Sequence, residues 1–343
     1  MIDGDARLQE ILEEHFDARW GAPYWLRTLP NLSFDPLTDI KRVADLNRFG
    51  PMPVDHLTAL PIQDFIPRHY HSRLHDFILS ETSGTTGPPK RTAYLKDEFR
   101  LAFVEPFLAA AASLNFPQNR NWLYIGPSGP HAIGKAAREC AVAMGSIDPF
   151  TVDFDPRWAQ KLSVGSMARN RYLDHVMRQA ESVLQTQDIS VIFATPPVLA
   201  ELGERLARAQ REAIAGIHLG GVAADQAFWK SLTTDWFPHA VAMAGYGNSL
   251  AGMCPQLFHE PGEPPSYFPH GNRLFLDIDS PDQNGRGRVV FHRLDHSCFL
   301  PNVYERDEAE ATGRAPTSGF QWFGIRDPRP PISAETTVKE LLY

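Results

Sequence analysis

The sequence predicts an α/β protein, with mostly parallel sheets flanked by helices and a small β subdomain near the C-terminus. The first observation is that short apolar strands end in glycine turns and alternate with helical stretches, a pattern typical of parallel sheets. The second is that short strands follow one another after residue 272, around a turn-forming segment at 282–285. Open parallel sheets bind ligands beyond the carboxyl ends of their strands, so we expect a site near the glycine turns.

Each predicted element has its own local pattern. An apolar stripe from Leu8 to Phe16 recurs with helical spacing, and an alanine- and leucine-rich stretch follows Lys96. The strands are short apolar runs that end in glycine or proline. The predicted helices lie at 6–20, 96–114 and 198–208, and the predicted strands at 77–79, 122–126, 190–194, 217–222, 241–247, 274–278 and 288–292.

Length and charge limit the class of protein. The chain has 343 residues, 43% of them hydrophobic, which is enough for a large core and, by length alone, for two domains. Its net charge is -8, from 33 basic and 41 acidic residues, so we expect no nucleic-acid partner. The apolar stretches are too short to span a bilayer and the N-terminus lacks a signal pattern, so we expect no membrane partner and a cytoplasmic location.

No metal or disulfide site is predicted. The cysteines lack a Cys-x-x-Cys pair and are expected to be buried thiols. His69 and His71 would point to different faces of a helix, which does not suit a shared metal ion. The cysteines are Cys140, Cys254 and Cys298.

The run from Thr82 to Lys90 is the strongest candidate site. It combines four hydroxyls, two glycines and one lysine in nine residues. Glycines allow successive N–H groups to converge on phosphate oxygens, and Lys90 adds a mobile positive charge, so the run suits a polyphosphate. A Gly/Ser/Thr-rich surface turn is the structural alternative. The candidate residues are Thr82, Ser83, Gly84, Thr85, Thr86, Gly87 and Lys90.

A second glycine-rich segment, Gly129 to Lys135, has the glycine and lysine spacing of a P-loop and follows a strand. Ala136 stands where a P-loop needs Ser or Thr to hold magnesium, and Pro130 removes a backbone donor. The sequence therefore argues against a P-loop nucleotide hydrolase.

Four segments together carry a family resemblance. Residues 82–90 match the phosphate-loop signature Thr-Ser-Gly-Thr-Thr-Gly-x-Pro-Lys at every position, and 194–197, 220–221 and 246–249 follow in the family's order. The chain resembles, over most of its length, the adenylate-forming superfamily of acyl-CoA synthetases, luciferases and nonribosomal adenylation domains. The short distance from the N-terminus to the loop resembles the phenylacetate-CoA ligase-like branch, whose short members in phenazine antibiotic biosynthesis lack the C-terminal domain.

The resemblance implies the large N-terminal body of such an enzyme, with the mobile C-terminal domain absent, because 324–328 resembles the family hinge and few residues follow. We predict a nucleotide- and acyl-binding α/β body at 1–272, a small β subdomain at 273–323 and a hinge-like tail at 324–343. A dimer is compatible with the sequence.

The resemblance also implies roles for individual residues. Tyr246 would stack on adenine, Ser249 would reach the α-phosphate and Asp307 would hold the ribose hydroxyls. Lys90 and His131 would be catalytic. Asp307 as an exposed loop acid and His131 as a helix cap stay open as structural readings. The implied ATP/AMP-binding residues beyond the phosphate loop are Gly220, Gly221, Gly245, Tyr246, Gly247, Asn248, Ser249 and Asp307, and the implied substrate-side residues are Tyr124, His131 and Gly245.

One departure from the family concerns magnesium. The family places a glutamate, a Mg²⁺ ligand, where this chain has Leu250. Either another group completes the metal shell or the ATP half-reaction is weakened. The implied function is ATP-dependent activation of an aromatic carboxylic acid, with phenazine carboxylates among the candidates, to an acyl-adenylate. The alternatives are a nucleotide- or aryl-acid-binding protein without turnover, and an acyl-protein synthetase that passes its acyl group to a partner's thiol.

Overall fold

A computed structural model describes residues 4–84, 87–258, 262–315 and 317–331. A β-hairpin, a six-stranded sheet and a five-stranded sheet form its framework. The strands are β1 (Phe77–Glu81), β2 (Arg91–Leu95), β3 (Asn121–Gly126), β4 (Phe150–Asp153), β5 (Ile189–Ala194), β6 (Gly216–Leu219), β7 (Val241–Asn248), β8 (Gly252–Pro255), β9 (Ser266–Tyr267), β10 (Leu274–Asp279), β11 (Arg286–Leu294), β12 (Phe299–Arg314) and β13 (Phe323–Arg329).

Helices separate the strands of the first half of the chain. The α-helices are α1 (Gly4–His15), α2 (Pro23–Thr28), α3 (Pro36–Asp39), α4 (His56–Ala59), α5 (Lys96–Phe99), α6 (Glu105–Leu114), α7 (Ala132–Ala143), α8 (Pro156–Lys161), α9 (Met167–Thr186), α10 (Pro196–Arg205), α11 (Arg208–Glu212) and α12 (Gln226–Ser231). Short 3₁₀ helices lie at Leu29–Asn31, Val43–Phe49, Ile62–Phe65 and Arg68–Asp76, and π-helical turns at Arg100–Val104 and Leu232–Trp236.

The six-stranded sheet has the predicted parallel arrangement. Its spatial order is β4-β3-β5-β6-β7-β8, and only the edge strand β8 runs antiparallel among these strands. Ala194 pairs with Leu219, and Leu219 pairs with Ala244, so the carboxyl ends of three strands meet at one edge. Strands β3 and β5 are almost entirely buried, as expected for a sheet covered on both faces. The predicted α/β fold class is confirmed.

The second sheet is antiparallel, in the order β10-β11-β12-β13-β9. Residues 324–329, part of the predicted hinge-like tail, pair with β12 and β9 within this sheet. The division of the chain at 272 and 323 stays a prediction.

Two predicted helices differ in detail from the structure. The first ends at His15 rather than at Trp20, because Asp17 accepts hydrogen bonds from the N–H groups of Arg19 and Trp20 and closes a turn there. The helix predicted at 96–114 is continuous, but its middle is the π-helical turn Arg100–Val104 between α5 and α6.

The described residues contain no membrane-spanning helix, disulfide or cluster of metal ligands. Within those ranges, no helix has both the length and the apolar character needed to cross a membrane. The three cysteines are buried and unpaired. The same ranges contain no group of three or more His, Cys, Asp or Glu side chains arranged to hold a metal ion.

A buried ionic network joins the two sheets and the hairpin. Asp295 follows β11 and is fully buried between two guanidinium groups. Arg273 donates to its two carboxylate oxygens at 2.8 and 2.6 Å, and Arg293 donates to Oδ2 as well. Burial alone would raise the pKa of Asp295, but the two guanidinium charges lower it to about 2. Arg273 also donates to the Ala251 carbonyl at 2.8 Å, just after β7.

Arg293 extends this network into the hairpin. It donates to Thr92 Oγ1 at 2.8 Å and to the Ala93 carbonyl at 2.7 Å, both in β2. It also donates to the Leu250 carbonyl at 3.2 Å. The guanidinium lies 3.6 Å from the centre of the Tyr94 ring, a cation–π contact in a desolvated environment. One side chain therefore fixes the hairpin relative to the end of β7.

Removal of the shared carboxylate tests this network. Asp295→Ala leaves two buried guanidinium groups without their counter-ion, so we expect the free energy of unfolding to fall by about 3–5 kcal/mol. Urea denaturation of the wild-type and variant proteins measures the difference. Glu212→Ala, which removes an exposed ion pair with Arg208, is the control and should change stability little. A loss from Asp295→Ala no larger than the control's would contradict this account.

Three buried histidines give stability a defined pH dependence. Burial lowers the pKa of His15, His218 and His292 from 6.5 to about 4. Between these two values the unfolded chain binds protons that the folded chain does not, so the free energy of unfolding decreases as the pH falls from 6.5 toward 4. Glu305, whose pKa is raised to about 7, acts in the opposite direction over part of this range, so the net slope reflects the excess of histidines. Urea denaturation at several pH values measures the slope, which His15→Gln should reduce because one such group is lost. A slope that is unchanged in His15→Gln would contradict the burial of this imidazole.

Candidate functional site

The phosphate-loop segment lies at the tip of the hairpin formed by β1 and β2. Thr82 N–H donates to the Lys90 carbonyl, and Lys90 N–H donates to Thr82 Oγ1, both at 3.0 Å. These bonds close the base of the loop. Gly84 has φ +69°, and a Cβ there would lie 3.1 Å from Pro89, so glycine suits the turn. Thr85 and Thr86 lie outside the described residues, and Gly87 is exposed.

An arginine from α8 holds this loop from the side. Arg157 donates to the carbonyls of Ser83 and Thr82, each at 3.1 Å, and to the Glu81 carboxylate at 2.9 Å. Arg91 donates to the other Glu81 oxygen at 2.9 Å. Burial would raise the pKa of Glu81, but the hydrogen bonds from both arginines keep it below the usual value. Arg157 was not predicted, because a single arginine in a surface helix carries no local signal.

The glycine turns after β6 and within β7 face this loop. Gly220 and Gly221 follow β6 directly, and Gly221 has φ +87°. A Cβ on Gly245 would lie 2.8 Å from Met253 Sδ, and one on Gly247 would lie 2.0 Å from the Gly252 carbonyl oxygen. A side chain at either position would clash with β8, so glycine allows the two strands to approach closely.

Ser249 connects β7 to the hairpin. Its hydroxyl donates to the Glu81 carbonyl at 2.9 Å. Its own carbonyl accepts from Ser80 Oγ and from Tyr94 OH, each at 3.0 Å. The predicted phosphate loop and the predicted nucleotide turn therefore lie side by side, joined at Glu81 and Ser249.

These segments surround one cavity of about 270 Å³, near the lower end of the roughly 300–1,000 Å³ range of small-molecule pockets. Its polar end is formed by the phosphate loop, the glycine turns and a segment of β12. The lining residues at this end include Thr82, Ser83, Gly220, Gly221, Asn248, Ser249, Glu305, Arg306 and Asp307. The rest of the lining, here called the apolar end, comes mainly from Phe103, Ala132, Ala136, Cys140, Phe193 and Met253.

Two carboxylates lie at the polar end. Asn248 Nδ2 donates to Glu305, and burial and the nearby Asp307 charge raise the pKa of Glu305 to about 7. Burial also raises the pKa of Asp307, although a hydrogen bond from Tyr246 opposes this. The positive charge of the half-buried Lys90 opposes this rise in the pKa of Glu305 without cancelling it.

Residue 250 does not suit a magnesium ion. The Leu250 side chain is 4% exposed and belongs to the hydrophobic core, so it offers no ligand. The described residues therefore provide no preassembled metal site here, although Glu305 and Asp307 supply oxygen donors of the type that Mg²⁺ accepts beside phosphates.

Two predicted site residues lie elsewhere than the resemblance suggests. Tyr246 belongs to the part of β7 that lines the cavity, but its ring packs against Tyr267, with centroids 5.8 Å apart, and its hydroxyl bonds to Asp307. Tyr124 is buried in the core, where its ring contacts Phe193 and its hydroxyl donates to the Pro127 carbonyl at 2.8 Å. Tyr124 lines a separate cavity of about 260 Å³ beside the P-loop-like segment.

Two imidazoles line the main cavity. His131 is the N-cap of α7, but its side chain makes no capping hydrogen bond. Burial, together with the nearby Arg157 charge, lowers the pKa of His131. His218 lies in the middle of β6, within the strand predicted at 217–222, and no role was predicted for it. A polar residue in an otherwise apolar buried strand was the signal that could have identified it.

Known structures share this fold. A crystal structure of 2-hydroxyisobutyryl-CoA ligase with 2-HIB-AMP and CoA, in the thioesterification state, is 14% identical, has a TM-score of 0.65, and covers 94% of this chain and 65% of its own. The same ligase in the postadenylation state with R3-HIB-AMP is 13% identical, has a TM-score of 0.66, and covers 96% and 67%. Neither a protein-family model nor a curated protein matches the sequence.

The comparison confirms the predicted α/β fold. The structural neighbours are acyl-CoA ligases. The chain spans 65% of the length of the ligase in the thioesterification state.

Hydrogen exchange tests the role of Arg157. Arg157→Met removes two hydrogen bonds to the loop and the ion pair with Glu81, so we expect amide exchange in residues 81–84 to accelerate about tenfold or more. Mass spectrometry of peptides that cover 77–95 measures the rate. Arg178→Met, on the exposed face of α9, is the matched control. Equal exchange in both variants would mean that the arginine does not hold the loop.

Proposed function

We propose that this protein uses ATP to activate a carboxylic acid as an acyl-adenylate, with release of pyrophosphate. The observation that carries the proposal is the meeting of the loop at 82–90 with the glycine turns of β6 and β7 around one cavity that has a polar and an apolar end. The structural neighbours whose fold the chain shares hold an acyl-adenylate in their own crystals, which supports the same reading here.

The chemistry follows from the two ends of the cavity. A carboxylate oxygen of the acid attacks the α-phosphorus of ATP, a new P–O bond forms, and the bond to the β-phosphate oxygen breaks with release of pyrophosphate. The loop N–H groups and the hydroxyls of Thr82 and Ser83 would bind the leaving phosphates, and Lys90 would stabilise their charge. Holding both reactants in one cavity supplies much of the rate enhancement.

Other nucleotide contacts are proposed on the same basis. Gly220 and Gly221 would lie against the base, and Asp307 would accept from the ribose hydroxyls. Mg²⁺ would arrive with ATP, held by phosphate oxygens, and Glu305 is the carboxylate that would replace the missing glutamate. When bound, the ion would spread the charge that develops on the phosphates.

The acid is proposed to be planar and aromatic. The apolar end of the cavity lies beside the rings of Phe103 and Phe193, which suit an aryl group. His131 would border the reacting carboxylate. Phenazine carboxylates belong to this class and are suitable test compounds. The acyl acceptor is proposed to be a thiol, because the neighbouring ligase binds CoA.

A non-catalytic binding protein is the second candidate. The observation that favours it is the buried Leu250, which removes the family's magnesium ligand. Such a protein would keep nucleotide or aryl-acid binding but lack turnover.

Exchange of labelled pyrophosphate into ATP tests the proposal. A panel of aryl acids, including phenazine-1-carboxylate, should support exchange, and Lys90→Ala should reduce it about 10²–10³-fold because a charge on the leaving group is lost. Lys135→Ala is the matched control: this lysine ends the P-loop-like segment, and its Nζ donates to the Leu79 carbonyl at 2.6 Å.

The possible results separate the candidates. Exchange that is lost in Lys90→Ala and retained in Lys135→Ala supports adenylation. Binding of ATP or of an acid without exchange by any compound favours the non-catalytic protein. Release of free phosphate, abolished by Lys135→Ala rather than by Lys90→Ala, would instead indicate a P-loop hydrolase.

A further inference from the structure

The apolar end of the main cavity contains one unusual polar atom. This end is lined by Phe103, Ala132, Ala136, Cys140, Phe193 and Met253, together with the imidazole of His218. The histidine is 3% exposed. It lies on a central strand of the six-stranded sheet, so the backbone fixes its position.

The tautomer of His218 follows from its hydrogen bond. Nδ1 lies 2.9 Å from the Met243 carbonyl oxygen in the neighbouring strand, and a carbonyl only accepts, so Nδ1 carries the proton. Burial lowers the pKa of His218 to about 4, so the ring is neutral at neutral pH. Nε2 therefore carries a lone pair and is an acceptor.

The ring is also fixed in orientation. Its centroid lies 4.3 Å from that of Phe193 and 5.0 Å from that of Phe107, with the Phe107 contact edge-on. Rotation of the imidazole would break the bond to Met243 and disturb both contacts. The acceptor consequently keeps one direction, as a recognition group must.

Nε2 makes no hydrogen bond within the described residues, whereas Nδ1 makes one. The backbone leaves access to this edge of the ring: a Cβ on Gly245 would lie 3.6 Å from His218 Cε1. A water molecule needs two to four polar partners, and the apolar side chains around the ring supply few. A ligand that covers this acceptor without pairing it pays about 1–3 kcal/mol, so a ligand that offers a donor is preferred.

We propose that Nε2 of His218 selects acids that carry an O–H or N–H donor on their acyl portion, away from the carboxylate. This inference rests on the proposed function, because it takes the substrate to be a carboxylic acid. It narrows that class to acids such as hydroxyaryl or N–H heteroaryl carboxylates. His218 is thus a specificity residue that contacts the substrate without taking part in the transfer.

Binding of matched acid pairs tests this inference. The pairs are pyrrole-2-carboxylate with furan-2-carboxylate, 3-hydroxybenzoate with 3-fluorobenzoate, 4-hydroxybenzoate with 4-fluorobenzoate, and 2-hydroxyisobutyrate with pivalate. Titration calorimetry on the full chain, without nucleotide, gives each Kd. In at least one pair we expect the donor acid to bind about 10-fold or more tightly, the size of one buried hydrogen bond.

Two substitutions at one position separate recognition from packing. The Asn in His218→Asn keeps an N–H donor for the Met243 carbonyl but has no atom at the Nε2 position, so the preference should disappear. The Gln in His218→Gln places an amide oxygen near that position and should restore part of it. His75→Asn, an exposed histidine, is the control and should leave the preference unchanged.

A spectroscopic measurement covers the case in which the variants fold poorly. In wild-type protein labelled with ¹⁵N, the unprotonated Nε2 of His218 has its own resonance, which should shift upfield when a donor acid binds and stay in place with its matched partner. A merely structural histidine would show no such difference.

The results distinguish this inference from the proposed function. Equal binding within every pair, no binding by any acid, or a preference that survives in His218→Asn would overturn the inference. Pyrophosphate exchange that is equally fast for donor and non-donor acids would overturn it while leaving adenylation in place. A donor preference without any exchange would support the inference and count against adenylation.

Discussion

The site depends on one carboxylate shared between two guanidinium groups. Asp295 holds Arg273 and Arg293, and these two arginines bind carbonyls of the hairpin and of the segment after β7. The three parts of the molecule that meet at the cavity are thus fixed by charges that water does not reach. Burying these charges is costly, and the full set of hydrogen bonds around them offsets that cost. A hydrophobic replacement would leave the carbonyls of Leu250 and Ala251 without donors.

Above this network, a second junction sets the distance between the phosphate loop and the sheet. Glu81 uses its carboxylate for Arg157 and Arg91, its carbonyl for Ser249, and its N–H for the Pro130 carbonyl. Four separate segments therefore converge on the last residue of β1. Because these contacts are backbone or charge-assisted bonds, they hold the base of the loop in place.

The sequence predicts the parallel sheet, its glycine turns and the loop at 82–90, because each depends on a local pattern of a few residues. It does not predict Arg157, which reaches Glu81 across 76 positions of the chain. It also places Tyr124 beside the ligand, whereas the structure buries this ring against Phe193. Which face of a strand points to a cavity depends on packing between distant segments, and spacing along the chain does not reveal that.

The π-helical turn between α5 and α6 affects the depth of the cavity, because its extra residue sets the direction of a lining side chain. Such a turn contains one residue more than the α-helix that would replace it, and Phe103 lies within it and lines the cavity. Deleting a single residue from Arg100–Val104 would join α5 and α6 into one regular helix and rotate its start by about 100° relative to its end. Phe103 would turn away from the cavity. A chain that differs by one residue here would therefore have a cavity of different depth, even with every other lining side chain unchanged.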